Sequence, residues 1–279
     1  MEASHLNSFN LFFLFKTLTI SMLAFVTEMF FLGIRKSTLY KLSKKPSKSL
    51  LLDLYCYLLS VTKLFDFLMF ILTFGIFYFL ISILTNYIDL DLARLVPNRY
   101  LQFVLVFIFS DFIDYLRHRF NHLKHFWELH AYHHSATEFN LITTSRGSLF
   151  EAGFNSIFFS IVYVVVGGSY EPIVAVVILR EWYVHVLNSN VKWDLGIFGK
   201  YIFISPMDHQ LHHSIMKEDY DKNFGLIFVW WDKLFGTYKK NRDANLKIGI
   251  PDNYFHQMSF FKGQIHSFNR FLKSLSNTL

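Results

Sequence analysis

Five stretches of this chain are too apolar to be left in water, and they limit its fold more than any other feature. They are 9–34, 64–84, 100–116, 148–168 and 171–187. The clearest is LFDFLMFILTFGIFYFLISIL at 64–84, since about 20 apolar residues in a helix cross a bilayer core. Backbone amides inside a bilayer need internal partners, so these segments are expected to be helices. Only 17% of the residues are charged, against about 25% in an ordinary soluble domain. The expectation is an all-α protein of multi-pass transmembrane helices. The runs at 148–168 and 171–187 are short and joined by GGSYEP, a turn signal. They read as a hairpin of thin spans or a re-entrant pair.

Charge sets the orientation. RKSTLYKLSKKPSK at 35–48 carries six basic residues and no acidic one, which places it in the cytoplasm. The mixed-charge segment 85–99 then lies on the far side, and 100–116 returns. The polar text that follows becomes a cytoplasmic helical cap. The net charge of +6 is explained by this topology and by anionic lipid headgroups, not by a nucleic-acid partner. Cys56 is the one cysteine, so no disulfide framework or thiolate metal site is expected. The first apolar run lacks a basic start and a small-residue cleavage site, so it reads as a retained span. In the tail, Phe261, Ile265, Phe268, Leu272 and Leu275 recur at helical spacing, with Lys262, Arg270 and Lys273 off that stripe. This is a basic amphipathic helix, lying on the membrane or packed on the cap. Three regions result: 1–99 membrane, 100–240 cap and site, 241–279 tail.

The chemistry-bearing residues are histidines. Ten of the thirteen lie between 118 and 213. His118 and His122 share a helix face. His130, His133 and His134 form HAYHH; His209, His212 and His213 form HQLHH; His185 stands alone in EWYVHVL. His5, His256, His266 and His125 read as ordinary hydrogen-bonded residues. Nine imidazoles are too many for one four-ligand zinc site, and a haem takes at most two axial histidines. Two metal ions sharing eight or nine imidazoles fit the count. Neutral imidazole suits iron, zinc and copper alike.

The run DYLRHRFNH…WELHAYHHS, followed by MDHQLHHS…YDKNFGLIFVWWDKLFGTY, resembles the fatty acid hydroxylase / sterol desaturase superfamily of membrane di-iron enzymes. The likeness covers roughly 100–240. HHSATEFNLITTSR is most similar to the branch that includes alkylglycerol monooxygenases and bacterial sterol desaturase-like proteins. The resemblance implies metal ligands at His118, His122, His130, His133, His134, His209, His212 and His213. His185 sits where the family has a further histidine. Some relatives carry one more just after it, where this chain has Asn188 and Ser189. The resemblance implies two iron ions, with zinc possible on purification. It also implies O2-dependent hydroxylation or desaturation of a membrane lipid: a sterol, fatty acyl or ether lipid.

A ligating histidine usually donates its second N–H to an acceptor. Asp111, Asp114, Glu128, Glu138 and Asp232 are candidates, Asp114 foremost because it lies one turn before His118. Arg146 and Glu151 read first as a mutual ion pair and second as a binding site for the substrate headgroup. No dinucleotide fingerprint, P-loop or cysteine cluster is present, so electrons come from a separate redox protein or a reduced pterin. The expected location is the endoplasmic reticulum in a eukaryote or the inner membrane in a bacterium. Oligomeric state is not legible. The competing readings are a membrane metal transporter or store, a non-catalytic relative and a metal-dependent hydrolase. Transporters place ligands inside spans, whereas here most follow them.

Overall fold

The computed structural model describes residues 2–62, 64, 67, 76–87, 95–166, 170–243 and 245–277. Every regular element among them is helical; two isolated bridges, Phe203–Phe228 and Ser214–Ile248, are the exceptions. The helices are α1 (Glu2–Leu32), α2 (Thr38–Lys44), α3 (Lys48–Val61), α4 (Ile76–Tyr87), α5 (Arg99–Asn121) and α6 (Trp127–His134). They continue with α7 (Leu149–Val166), α8 (Tyr170–Leu187), α9 (Gly196–Tyr201), α10 (Pro206–His212), α11 (Trp230–Leu234) and α12 (Phe260–Ser276). Several begin at a side-chain cap. Ser47 Oγ accepts from Leu50 N at α3, and Asn98 Oδ1 from Tyr100 and Leu101 N at α5, all at 3.0 Å. Ser205 Oγ accepts from Asp208 N at α10, with Pro206 in the first turn.

Helix α5 packs on both α7 and α8, α8 also lies against α1, and α4 against α7. Val106, Val166 and Val176 meet where α5, α7 and α8 converge. Charged residues in the apolar runs are tied across helices. Lys16 of α1 pairs with Glu181 of α8 at 3.2 Å. Asp114 of α5 pairs with Arg117 at 3.0 Å and with Arg180 of α8. Ionised groups buried among apolar side chains are costly unless paired.

Among the described residues, one helix is long and apolar enough to cross a membrane by itself, Leu149–Val166, and only 33% of it is buried in the protein. The runs at 9–34, 100–116 and 171–187 fall mainly in α1, α5 and α8, where the paired charges lower the apolarity. Of the run at 64–84, residues 65, 66 and 68–75 lie outside the described residues; α4 carries its second half. Residues 88–94 of the expected far-side segment also lie outside them.

A second cluster anchors the cap. Cys56 and Leu59 of α3 meet Ala131 and Tyr132 of α6, Leu149 of α7 and Phe255 and Phe260. Helix α12 lies along α6, and Gly263 makes that possible, since a Cβ there would sit 2.5 Å from the Tyr132 ring. The inward face of α12 is not its apolar stripe. Gln264 accepts from Leu149 N (2.8 Å), Ser267 donates to Glu128 O (2.7 Å) and Arg270 pairs with Glu128 (2.5 Å). Phe268 stacks on Phe150, while Phe261, Ile265, Leu272 and Leu275 stay exposed. One face of α12 is packed on α6, and the apolar stripe is left outward.

Candidate metal centre

Three helices deliver eight imidazoles to one place. His118 lies in the last turn of α5 and His122 caps it; α6 carries His130, His133 and His134; α10 carries His209 and His212, with His213 at its C-cap. They sort into two groups. His118, His122, His130, His134 and His212 offer ligand atoms all within 4.8 Å of one another, and so do His133, His209 and His213. In each H-x-x-H-H box the i, i+4 pair joins one group and the remaining histidine joins the other. The two helices do this reciprocally. The α6 pair, His130 and His134, serves the larger group; the α10 pair, His209 and His213, serves the smaller. The groups adjoin, with ring centroids 4.1 Å apart for His134–His213 and 5.3 Å for His212–His213.

Fixed acceptors orient most of the rings. His118 Nδ1 donates to Phe224 O (2.8 Å), His212 Nδ1 to Lys222 O (2.7 Å) and His133 Nδ1 to Arg146 O (2.9 Å). His130 Nδ1 meets Glu151 Oε1 at 2.9 Å, and His122 Nδ1 meets Asp221 Oδ1 at 3.3 Å. A carbonyl or carboxylate oxygen can only accept, so Nδ1 carries the proton and Nε2 keeps its lone pair. Among the described residues the buried Nε2 atoms of His122, His130, His134 and His212 have no partner, nor has either ring nitrogen of His209 or His213. Unpaired buried polar atoms are costly. So many lone pairs turned toward common points fit metal ions, and N–H donors locked on outer acceptors are the usual support of ligating histidines.

The loop 221–225 supplies three of these acceptors. Asp221 and Asn223 sit at φ 57° and 56°, a left-handed conformation that Asp and Asn tolerate better than most residues. Asn223 fixes the loop by donating to Asp208 O (2.8 Å) and Lys239 O (2.7 Å). Asp232 accepts from Phe224 N (2.8 Å) and Gly225 N (2.7 Å). A Cβ on Gly225 would lie 2.9 Å from Asp232 Oδ2, so the glycine permits this close approach.

Burial lowers the pKa of all eight imidazoles below the usual value, with neighbouring imidazoles adding repulsion at most of them. His133 and His209 are pushed down to about 3. The neutral, ligating form is thereby favoured. The unfolded chain, by contrast, takes up protons as pH falls below about 6.5. Above that pH both states hold these groups neutral; as pH falls below it, the unfolded chain gains protons that the metal-free fold resists, so the fold loses stability down toward the lowered values. The loss is on the order of 1 kcal/mol per pH unit for each imidazole. The denaturation midpoint of chelator-treated protein should drop between about pH 7.5 and about pH 5.5. A midpoint that rises on acidification would contradict this.

Several sequence expectations are corrected. Asp114 holds Arg117 and Arg180, not His118. Asp111 accepts from Ile227 N, Phe228 N and Trp231 Nε1. Glu138 pairs with Lys41, and Glu128 with Arg270. Arg146 does not meet Glu151; it pairs with buried Asp53 at 2.5 Å. The carboxylates on the histidines are Glu151 and Asp221. The signal for Asp221 was the Asp/Asn pair in YDKNFG; Glu151, read as an ion-pair partner or a headgroup contact, had none for a role on His130. His185 belongs to neither group. Its Nδ1 donates to Leu141 O (2.7 Å), and its ring stands edge-on to Tyr57. Ser189 donates to Val186 O and accepts from Val191 N in a turn, whereas Asn188 faces a cavity. That cavity, of about 340 Å³, is bordered by His118, His130, His133 and His209.

The Glu151→Ala protein should bind metal about 10–100-fold more weakly, the usual cost of removing an outer acceptor of a ligating histidine. Competition against a chelator measures this. Unchanged competition would show that Glu151 does not support His130.

Residues 103–237 match the family model for fatty acid hydroxylase. The chain is 29% identical over 156 residues to an alkylglycerol monooxygenase of Caenorhabditis elegans, covering 54% of this chain and 30% of that protein. It is 29% identical over 163 residues to the human alkylglycerol monooxygenase, covering 57% and 35%. It is 28% identical over 152 residues to the ornithine lipid hydroxylase OlsE of Rhizobium tropici, covering 53% and 45%. The chain thus spans about a third of the length of the alkylglycerol monooxygenases it matches. No solved structure matches it.

Proposed function

Because residues 103–237 belong to the fatty acid hydroxylase family, we propose that this chain is an O2-dependent di-iron oxidoreductase. It hydroxylates or desaturates a C–H bond of a membrane lipid. The observation that carries this reading is the pair of adjoining histidine groups opening on one cavity. His118, His122, His130, His134 and His212 hold one iron; His133, His209 and His213 hold the other. His185 stands apart, so an added ligand at the smaller group has to come from elsewhere. Bound there, the irons supply the O2 activation that side chains cannot.

The protein's own part is positioning. The outer acceptors fix each ring, burial keeps each imidazole neutral, and the cavity brings a lipid carbon to the rings of His118, His130, His133 and His209. Electrons come from a separate redox protein or a reduced pterin. The helices α1, α4, α5, α7 and α8 form the multi-pass membrane part, with the histidine cap on the cytoplasmic side. The outward stripe of Phe261, Ile265, Leu272 and Leu275 rests in the headgroup layer, where a basic amphipathic helix gains most. The membrane is the inner membrane of a bacterium or the endoplasmic reticulum of a eukaryote.

The test is the metal content of the detergent-purified protein, with Mössbauer spectroscopy of an iron-57 sample. A coupled iron pair supports the reading. Persistent absence of metal from several well-folded preparations would refute it. His256→Ala, at an exposed position, should leave metal content unchanged.

A further inference from the structure

Among the described residues, three aromatic side chains other than histidine lie against the eight imidazoles. Phe224 meets His118, His122 and His212, and Phe139 meets His209 and His213. The third is Trp127. Its ring centroid lies 5.0 Å from those of His122 and His134 and 6.3 Å from that of His130. These three histidines belong to the five-histidine group, and the buried Nε2 of each has no partner. Both phenylalanines are buried, whereas Trp127 is half-buried. Of the three rings it is therefore the one that joins the ligands to the surface. The helix sets its place: Trp127 opens α6, and Trp127, His130 and His134 recur at i, i+3 and i+7 along one face.

The residue type gives this contact a chemical meaning. An indole loses an electron far more readily than a phenyl ring or a neutral imidazole. Its separation from two ligand rings is that of packed aromatic pairs, so an electron crosses without intervening groups. A centre able to attack a C–H bond is hazardous when it is oxidised with no lipid in the cavity, because its own ligands are then the nearest targets. We propose that Trp127 is a protective electron donor to the five-histidine iron. The indole gives one electron to the oxidised centre, and its N–H proton passes to water. A one-electron reductant in solution, of the ascorbate or thiol class, returns the electron, and water returns the proton. Where no reductant is present, a second electron follows the first, water adds to the ring, and a hydroxylated indole remains with two protons released overall. With hydrogen peroxide as the oxidant, those two electrons and two protons reduce one peroxide to water. This rests on the proposed function in one respect, that the five-histidine group holds a redox-active iron.

The test uses the full-length, iron-loaded protein in micelles, free of lipid substrate and mixed with hydrogen peroxide. Freeze-quenched samples are read by electron paramagnetic resonance, and later samples by peptide mass mapping. An indolyl signal should appear, narrow when the protein carries ring-deuterated tryptophan, and vanish in Trp127→Phe. Trp127→Tyr should give a tyrosyl signal in its place, which a purely packing role would not produce. Hydroxylation should reach Trp127 before the more exposed Trp193 and Trp230. In chelated protein, where peroxide acts from solution, that order should reverse. At equal peroxide, Trp127→Phe should lose iron and accumulate oxidised His122 and His134 sooner than the parent. An unchanged radical signal with equal histidine loss in Trp127→Phe overturns the inference. So does oxidation of Trp193 and Trp230 ahead of Trp127 in the iron-loaded parent. If Trp127→Phe sheds iron before peroxide is added, Trp127→Tyr decides: a tyrosyl signal with parent-like iron retention supports the donor, and the lack of both overturns it. Oxidation of Trp127 first, in a protein that oxidises no lipid, would sink the proposed function and spare the donor. Lipid oxidation with an untouched indole and no radical signal would do the reverse.

Discussion

The His212→Ala protein is expected to lose all lipid oxidation and the ion of the five-histidine group, whereas His213→Ala should lose the ion of the three-histidine group. His212 lies 4.4 Å from the His118 ring and 4.7 Å from each of His122 and His134, centroid to centroid. Its Nε2 is buried without a partner, and its Nδ1 is fixed on Lys222 O. No neighbouring side chain can replace an imidazole aimed from that direction. If the proposed di-iron site holds, iron-57 Mössbauer spectra of the two variants should show two different isolated irons in place of the parent's expected coupled pair. The chelator-treated variants should be as stable as the chelated parent, or more so. Removing a ring relieves buried lone pairs and imidazole repulsion, so a metal site is commonly bought at the expense of metal-free stability. Full activity and full metal content in both variants would refute the ligand assignment. A His212→Ala chain that unfolds without metal would instead give that ring a structural role.

The second large effect is expected at Asp53, which touches no histidine but holds Arg146 beside His133. Asp53→Ala should destabilise the fold by about 3–5 kcal/mol, the usual cost of stripping the partner from a buried charge. Arg146 and Asp53 are both buried, and Asp53 also accepts from Asn140 Nδ2 (2.6 Å) and Thr143 Oγ1 (2.9 Å). Arg146 in turn donates to Ser49 O (2.7 Å) and Ser135 Oγ (3.2 Å). This network fixes loop 135–146, which offers Arg146 O to His133 and Leu141 O to His185. The variant should therefore weaken metal retention at the three-histidine group first. Denaturant titration in micelles and stepwise chelation would check both claims. An unchanged midpoint would mean that water or another cation replaces the carboxylate.

The histidine boxes were legible because their geometry is local: i, i+3 and i+4 on a helix meet whatever else the chain does. Which ring serves which group was not legible, since that depends on how α6 and α10 face each other. The same limit explains Asp114. It shares a helix face with His118, but Arg180 arrives from α8 and takes it. Glu151 and Asp221 reach their histidines from another helix and from a loop, at separations that no periodicity reports. Helix α12 was readable from its apolar stripe. That it would turn the other face inward depended on Gly263 and the Tyr132 ring. The apolar runs announced helices, but the ion pairs Lys16–Glu181 and Asp114–Arg180 join residues that sequence reading treats as unrelated.

The wide spacing of the histidine segments also sets a timetable for the ribosome. Neither group can close until α10 has emerged, because His212 and His213 complete them, and three ring acceptors, Asp221 Oδ1, Lys222 O and Phe224 O, lie later still. On the proposed topology, α5, α7 and α8 would by then have been handed to the membrane-insertion machinery. For most of synthesis the nascent chain displays His118, His122, His130, His133 and His134 as an unfinished chelator, open to any passing divalent cation. Choosing the correct metal is then a late, post-insertion event, and starving cells of iron during expression should leave a mismetallated pool that later iron rescues slowly.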